Sequence, residues 1–504
     1  MLLISLTVAL TFSPFIVLGD IVPITDAFDV CKNETLILNT YDTISFQENS
    51  ITSPSLRCIQ LGYRYAYFSD GTFSNVPNLW YLDLQHNQIY PDSLFSFGNL
   101  PNVRILSLGN QKIYNRDTLV IKRLYPELWY LNLQYANIYD IRSTWSNPFP
   151  KLTHLDLSGN RIKTSDLEIF PDTLTYLNLT DNYISQLSFP KFSNLTSLIL
   201  DNNILRGIGG WYDLDLNGLR KLQNLSVANN EIRWISVQDA TNIRYLNLAQ
   251  NSLSNIDYND FRSMKLLEVL ILDNNLFSHV PSMSLNITTL SLNCNSIRYL
   301  NDNLSNLPYL RKLFLNGNNI THINENTFDN QEQLEELHLA DNQLTYLPPN
   351  WSRSMKNLQN LVLSGNKFTS LNSIIHSADL PIRQLYLDRN PILYLNISTF
   401  QIIPQQIIVY LNIGSESNEI SCTRPGSDVS TTPELSTTSP WTSSSSPWWS
   451  TTYSSSTTYP WWSSSRPWWS TTYSSSTTYP WWSTTYSSST TYPWWSIMSR
   501  NKTK

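Results

Sequence analysis

The chain has 504 residues, a formal net charge of −6 and only 14% charged residues. That balance excludes the basic face that nucleic-acid binding requires. Four cysteines fit an oxidising compartment but are too few for a disulfide scaffold.

Residues 1–19 form an apolar run in which Val17 and Gly19 are placed as at a signal-peptidase site. They read as a secretory signal cleaved near Asp20, although the run lacks the usual Lys or Arg at its start. An uncleaved anchor is the alternative, and the run is short for a membrane span. No other stretch approaches the roughly 20 apolar residues of a transmembrane helix, and residues 497–504 lack the hydrophobic end of a lipid-anchor signal. The mature protein is therefore expected free outside the cell or held there by partners. Residues 20–55 read as an N-terminal cap, with Leu36-Ile37-Leu38 as a capping hairpin strand. A disulfide between Cys31 and Cys58 would staple that cap over the end of the core.

From 56 to 416 one unit recurs, as in Leu334-Glu-Glu-Leu337-His-Leu339-Ala-Asp-Asn342-Gln-Leu344. Leu337 and Leu339, two apart, share one face of a short strand, and the residues between and beside them stay on the other. The Asn342 amide can satisfy backbone groups of its own turn and the adjoining one. A single coil cannot bury its leucines, whereas stacked coils pair their strands in parallel and merge the leucines into one core. The first apolar position falls at about 16 sites from Leu56 and Leu79 to Ile382 and Ile408, spaced 20 to 27 residues apart. The asparagine position is filled at Asn87, Asn160, Asn182 and onward to Asn390, but Gln111, Ala136 and the terminal Arg64 and Glu416 replace it. The lost amide partners predict a weaker ladder between Gln111 and Ala136. Second halves such as Ile320 to Phe328, or Ile256 with Phe261, place a Phe on the convex side in turns or 3₁₀ pieces.

The predicted fold is an α/β-type solenoid with a parallel concave β-sheet and an irregular, 3₁₀-containing convex side. The unit resembles the 24-residue leucine-rich repeat of extracellular animal proteins such as Toll-type receptor ectodomains and Slit-type guidance proteins. The resemblance covers residues 56–416 and implies a leucine-rich-repeat horseshoe that recognises extracellular partners. The cysteine-rich caps of that group are reduced here to Cys31 with Cys58 and a lone Cys422, so a standard C-terminal cap is absent from the pattern. Cys294 reads as a small, partly buried thiol. Cys422 has no local partner and is left free or paired with another chain.

One repeat is stretched: Leu205 to Asp213 carries Gly207, Gly209, Gly210 and Trp211, and reads either as a functional loop or as a tolerated insertion. Beyond 417 the chain becomes a Ser/Thr/Pro/Tyr/Trp-rich tail with five Pro-Trp-Trp elements and one 14-residue block repeated without change at 450–463, 470–483 and 483–496. It is expected to be disordered and O-glycosylated, serving as an adhesive segment or an inert stalk.

With the leucines inside, the concave face can be read directly. Its N-terminal half is aromatic, with Trp80, Tyr81, Trp129, Tyr130, Tyr135, Tyr176 and later Tyr245. Its C-terminal half reads as charged, with Arg311 and Lys312 beside Glu335 and Glu336, then Arg383 and Arg389. An exposed aromatic patch has the composition of a recognition surface; the rings could instead merely cover the sheet. The charged residues read as cross-strand pairs between coils. Sequons stand at Asn33, Asn178, Asn194, Asn224, Asn286, Asn303, Asn319, Asn350, Asn396 and Asn501. Glycans on Asn178 and Asn224 would obstruct the middle of the concave face and favour its N-terminal end.

The six histidines are scattered over different coils, and no metal-spaced pair, phosphate loop or nucleophile motif appears. No enzyme and no cofactor is expected. The sequence points to a secreted, N-glycosylated binding protein for an extracellular protein or glycan, including innate immune recognition by resemblance. The other reading is a matrix component that contacts matrix or polysaccharide through its tail.

Overall fold

The computed structural model describes residues 35–37, 44–61, 67–111, 117–163, 167–189, 191–209, 214–237, 241–257, 259–300, 302–376, 380–392, 403, 406–411 and 422. The expected signal, Cys31, the loop residues 210–213 and the tail lie outside them, as do Asn33, Asn396 and Asn501.

The repeat folds as a succession of short strand, tight turn and return path. Seventeen parallel strands form one sheet, each taken from a new coil, from Thr35–Ile37 and Cys58–Gln60 to Gln384–Tyr386 and Ile408–Tyr410. The register is set by the leucines: Leu313, Leu337 and Leu361 stand side by side on adjacent strands and are fully buried. Their neighbours Lys312, Glu336 and Asn360 form the outward column in the same register. The far side carries four 3₁₀ turns among the described residues. It also carries short parallel strands that the leucine pattern does not reveal, notably Asp117–Ile121 beside Ile138–Ser143 and a four-stranded patch that includes Gly207–Ile208 and Trp234–Ile235. Buried Phe95, Phe149, Phe170, Phe261 and Phe328 fill the interior behind them.

The ladder amides close each turn in one way. Asn342 donates to the Leu339 and Ala340 carbonyls of its own coil and to Leu315 of the previous one, while its Oδ1 accepts from Ile320 N. The residue before each ladder position, from His86 to Arg389, adopts a left-handed φ between 49° at Tyr135 and 67° at Gly159. That bend turns the chain off the strand so that the amide points inward.

Four expectations are corrected. Gln111 does not weaken the ladder: its Nε2 donates to Leu84, Leu108 and Gly109 carbonyls and its Oε1 accepts from Ile89 N, because the extra methylene still reaches the same groups. Among the described residues the gap in the ladder is Ala136, which has no side-chain amide to bond. Leu36 belongs to no hairpin: strand Thr35–Ile37 pairs in parallel with Cys58–Gln60 and extends the main sheet by one strand. Ile408 is not an inward position, since pairing of Gln384 with Ile408 makes Val409 the inward residue and leaves Ile408 52% exposed. Finally, Cys294 is bonded to Cys422. The stacking of coils brings the rim position of Cys294 beside Gly317, whose carbonyl lies 3.8 Å from the Cys422 sulfur; no local spacing announces a bridge across 128 residues. Cys58 is also disulfide-bonded and fully buried.

Candidate functional site: an aromatic row on the strand face

Each coil offers the strand face a residue before the strand and its first and third strand residues. The first-residue column runs Tyr81, Ile105, Tyr130, His154, Tyr176 on successive strands. The third-residue column beside it runs Asp83, Ser107, Asn132, Asp156, Asn178. Trp80 and Trp129 flank the first column from the preceding position, with Arg104 of the intervening coil between them.

Four rings touch. Trp129 lies edge-on to Tyr130 and to His154, with centroids 6.1 and 5.9 Å apart. His154 packs on Tyr130 at 6.4 Å and stacks on Tyr176 at 5.8 Å. Thr153 Oγ1 lies 2.9 Å from His154 Nδ1 and fixes the imidazole between the phenols. His154, one of the histidines scattered over different coils in the sequence, is thus the link that joins Tyr130 to Tyr176. Its place in the column, two residues after the first leucine of its coil, is the signal that finds it. Tyr81 stands one strand further off, beyond buried Ile105, and its hydroxyl lies 3.3 Å from Asp83. All of these rings are half-buried. Burial, with a smaller contribution from Asp156, pushes the Tyr130 phenol up to about 12. Burial also raises Tyr81 and Tyr176, so the row presents neutral hydroxyl donors at physiological pH.

Tyr135 is not on this face. It occupies the left-handed rim position, its ring lies flat on Gly159, where a Cβ would come within 2.2 Å of it, and its hydroxyl donates to Asp181 at 3.1 Å. Tyr245 is on the face but several strands away, with its phenol raised to about 12 by burial and then by Asp201 and Asp273.

The C-terminal half is more than charged. Arg311 pairs with Glu335 at 3.1 Å and Lys312 with Glu336 at 2.9 Å across neighbouring coils. Beside these pairs the third-residue column becomes apolar and aromatic: Phe314, His338, Val362, Tyr386, Tyr410. Phe314 and His338 are 4.6 Å apart, and Tyr386 stacks on Tyr410 at 4.5 Å. The sequence reading missed this row because each strand contributes a single member to it and only the register of the strands lines them up.

Of the sequons, Asn286, Asn319 and Asn350 are exposed and Asn194 and Asn303 partly so. Asn178 and Asn224 do lie on the strand face, and Asn178 Oδ1 accepts from Thr180 Oγ1 at 2.7 Å. Asn178 shares its strand with Tyr176, so a glycan there would border the aromatic row. Among the described residues, no group of His, Cys, Asp and Glu is placed to hold a metal ion, and no helix is long and apolar enough to cross a membrane.

A family profile described as "Leucine rich repeat" matches residues 126–184, 285–344 and 332–392. Human oligodendrocyte-myelin glycoprotein is 32% identical over 194 residues, 36% of this chain and 41% of that one. Mouse lumican is 28% identical over 282 residues, 53% of this chain and 76% of that one. The chain therefore spans less than half of the first of these relatives. Among solved structures, the glycosylated Toll–Spatzle complex of Drosophila is similar with a TM-score of 0.62 at 20% identity, covering 77% of this chain and 56% of that one. The buried leucine columns, the amide ladder, the parallel strand face and these matches show that the chain has a leucine-rich-repeat fold.

Proposed function

We propose that the protein is a secreted, N-glycosylated binding protein that recognises an extracellular protein or glycan through its strand face. In this reading Trp80, Tyr81, Trp129, Tyr130, His154 and Tyr176 form the contact surface. The observation that carries it is the contiguous packing of Trp129, Tyr130, His154 and Tyr176 outside the core. The leucines behind the sheet already supply the burial the fold needs, so these half-buried rings are surplus to stability and suit a partner that completes their desolvation. The Toll–Spatzle structure is described as a hub in development and innate immunity, and a role of that kind is carried here as part of the proposal.

The test is a pull-down from native extracellular fluid with the secreted full chain and with a Trp129→Ala, Tyr130→Ala, Tyr176→Ala variant of unchanged circular dichroism. Selective loss of a captured partner in the variant supports the reading; identical capture refutes it. The five Pro-Trp-Trp elements of the tail favour a second reading, adhesion to matrix or polysaccharide through 417–504. Attachment that persists after removal of those residues would eliminate it.

A further inference from the structure

The two halves of the strand face differ in how their charges are balanced. From Arg311 onward the carboxylates of the strand face and its rim are neutralised within the chain: Glu335 by Arg311, Glu336 by Lys312, and Asp341 and Asp388 by Arg389, whereas Asp273, between the two stretches, is held by Ser291 and Asn293. In the aromatic half no Lys or Arg pairs within 4.0 Å with Asp83, Asp156, Asp181 or Asp201 among the described residues, and His86 acts on Asp83 through its charge. They are held by neutral donors instead. Asp156 Oδ1 accepts from Ser158 N and Oγ at 2.9 and 2.6 Å. Asp201 Oδ1 accepts from Ser226 Oγ and Ala228 N at 2.6 and 2.7 Å. In both residues the bonded oxygen is Oδ1. Arg104 is exposed between the Trp80 and Trp129 positions, where it acts on Glu127.

We infer that the aromatic half of the strand face docks an extended, Lys- or Arg-bearing polypeptide segment running across the strands. The inference rests on the strand-face reading above and names the chemistry of its partner. Aromatic faces attract cations through the ring quadrupole, and a carboxylate beside them adds a charge-assisted acceptor. Tyr130 and Tyr176 both stand near Asp156, close enough for its charge to act on their phenols. An anionic glycan or acidic peptide would meet the same carboxylates with the wrong sign. From the Tyr81 strand to the Tyr176 strand there are four steps of about 4.8 Å, roughly 19 Å, which an extended segment of about six residues spans at about 3.3 Å per residue.

The test is calorimetric titration of the secreted full chain with three probes: a hexa-arginine peptide, a hexaglutamate peptide and the neutral sugar chitohexaose. The variants are Asp156→Asn with Asp201→Asn, which keep the Oδ1 acceptors, and Trp129→Ala. A charge-matched control is Asp92→Asn with Glu332→Gln, both exposed away from the row. The expected result is binding of the arginine peptide alone, weakened at least about ten-fold by the aspartate pair and by Trp129→Ala, and less than about three-fold by the control. Equal weakening by the control pair, preference for either other probe, or binding only after enzymatic removal of N-glycans would overturn it. Failure here with retained Trp129 dependence in the pull-down would leave the strand-face reading standing and remove only its cationic partner.

Discussion

Asn160→Ala should destabilise the solenoid far more than the same change at Asn342, although the two asparagines look alike in sequence. In a regular coil each turn carbonyl is served twice, by its own ladder amide and by that of the next coil. Leu339 O accepts from Asn342 and from Asn366, and Leu315 O from Asn318 and Asn342. Removing the Asn342 side chain therefore strands chiefly one buried group, Ile320 N. Ala136 breaks this redundancy. Leu133 O accepts from Asn160 alone among the ladder amides, and Asn160 Oδ1 also receives Ile138 N and Ala136 N. Asn160→Ala thus leaves three groups unpaired where Asn342→Ala leaves one. At about 1 to 3 kcal/mol for each buried group left unsatisfied, the excess cost is about 2 to 6 kcal/mol. Urea denaturation of both variants, read by circular dichroism with hydrogen exchange at the Ile138 amide, measures it. Equal midpoints, with no faster exchange at Ile138 in Asn160→Ala, would refute the shared-amide account.

The converse change, Ala136→Asn, restores an amide beside Leu133 O and should raise stability by about 1 kcal/mol, read as a higher urea midpoint; a lowered midpoint would show that the fully buried site has no room. Burial raises the Asp201 carboxyl above its ordinary value, so its charged form opposes folding at neutral pH and that opposition fades as pH falls through the raised value. Asp201→Asn should accordingly be more stable than the parent near neutrality, with the gap closing in acid when melting temperatures are compared. Glu336 has the opposite sign: His338, 3.7 Å away, and then Lys312 hold it down at about 2. Its contribution is full above the ordinary carboxylate value and is lost as pH falls toward about 2, so Glu336→Gln should cost stability near neutrality and nothing at the acid end of the same series. Glu335→Gln, which breaks the exposed pair with Arg311, should shift stability by no more than about 1 kcal/mol.

Much of the architecture was legible in one dimension because the repeat is periodic and each coil contacts only its neighbours. Leu337 and Leu339 announce a strand and its buried face, and Asn342 announces the turn. Those readings transfer from coil to coil without knowledge of distant contacts. Pairs such as Arg311 with Glu335 were legible for the same reason, since one period separates residues that become adjacent. Where the pattern thins, the spacing lost its authority. Ile408 fell out of register because the last coil has several apolar residues that could serve as the inward one, and only hydrogen bonding to Gln384–Tyr386 chooses among them. Gln111 looked like a defect because residue identity, not reach, was read.

The sequence by itself determined a stack of leucine-lined parallel coils, because burial at a fixed period requires no long-range information. Tertiary structure decided the rest. It linked Tyr130 to Tyr176 through His154, moved Tyr135 from the face to the rim, joined Cys294 to Cys422, and left Asp156 and Asp201 to neutral donors while pairing Asp341 and Asp388 with Arg389. Each of those outcomes depends on which side chains meet across coils, and that is set by the depth, rim position and register of the packed strands.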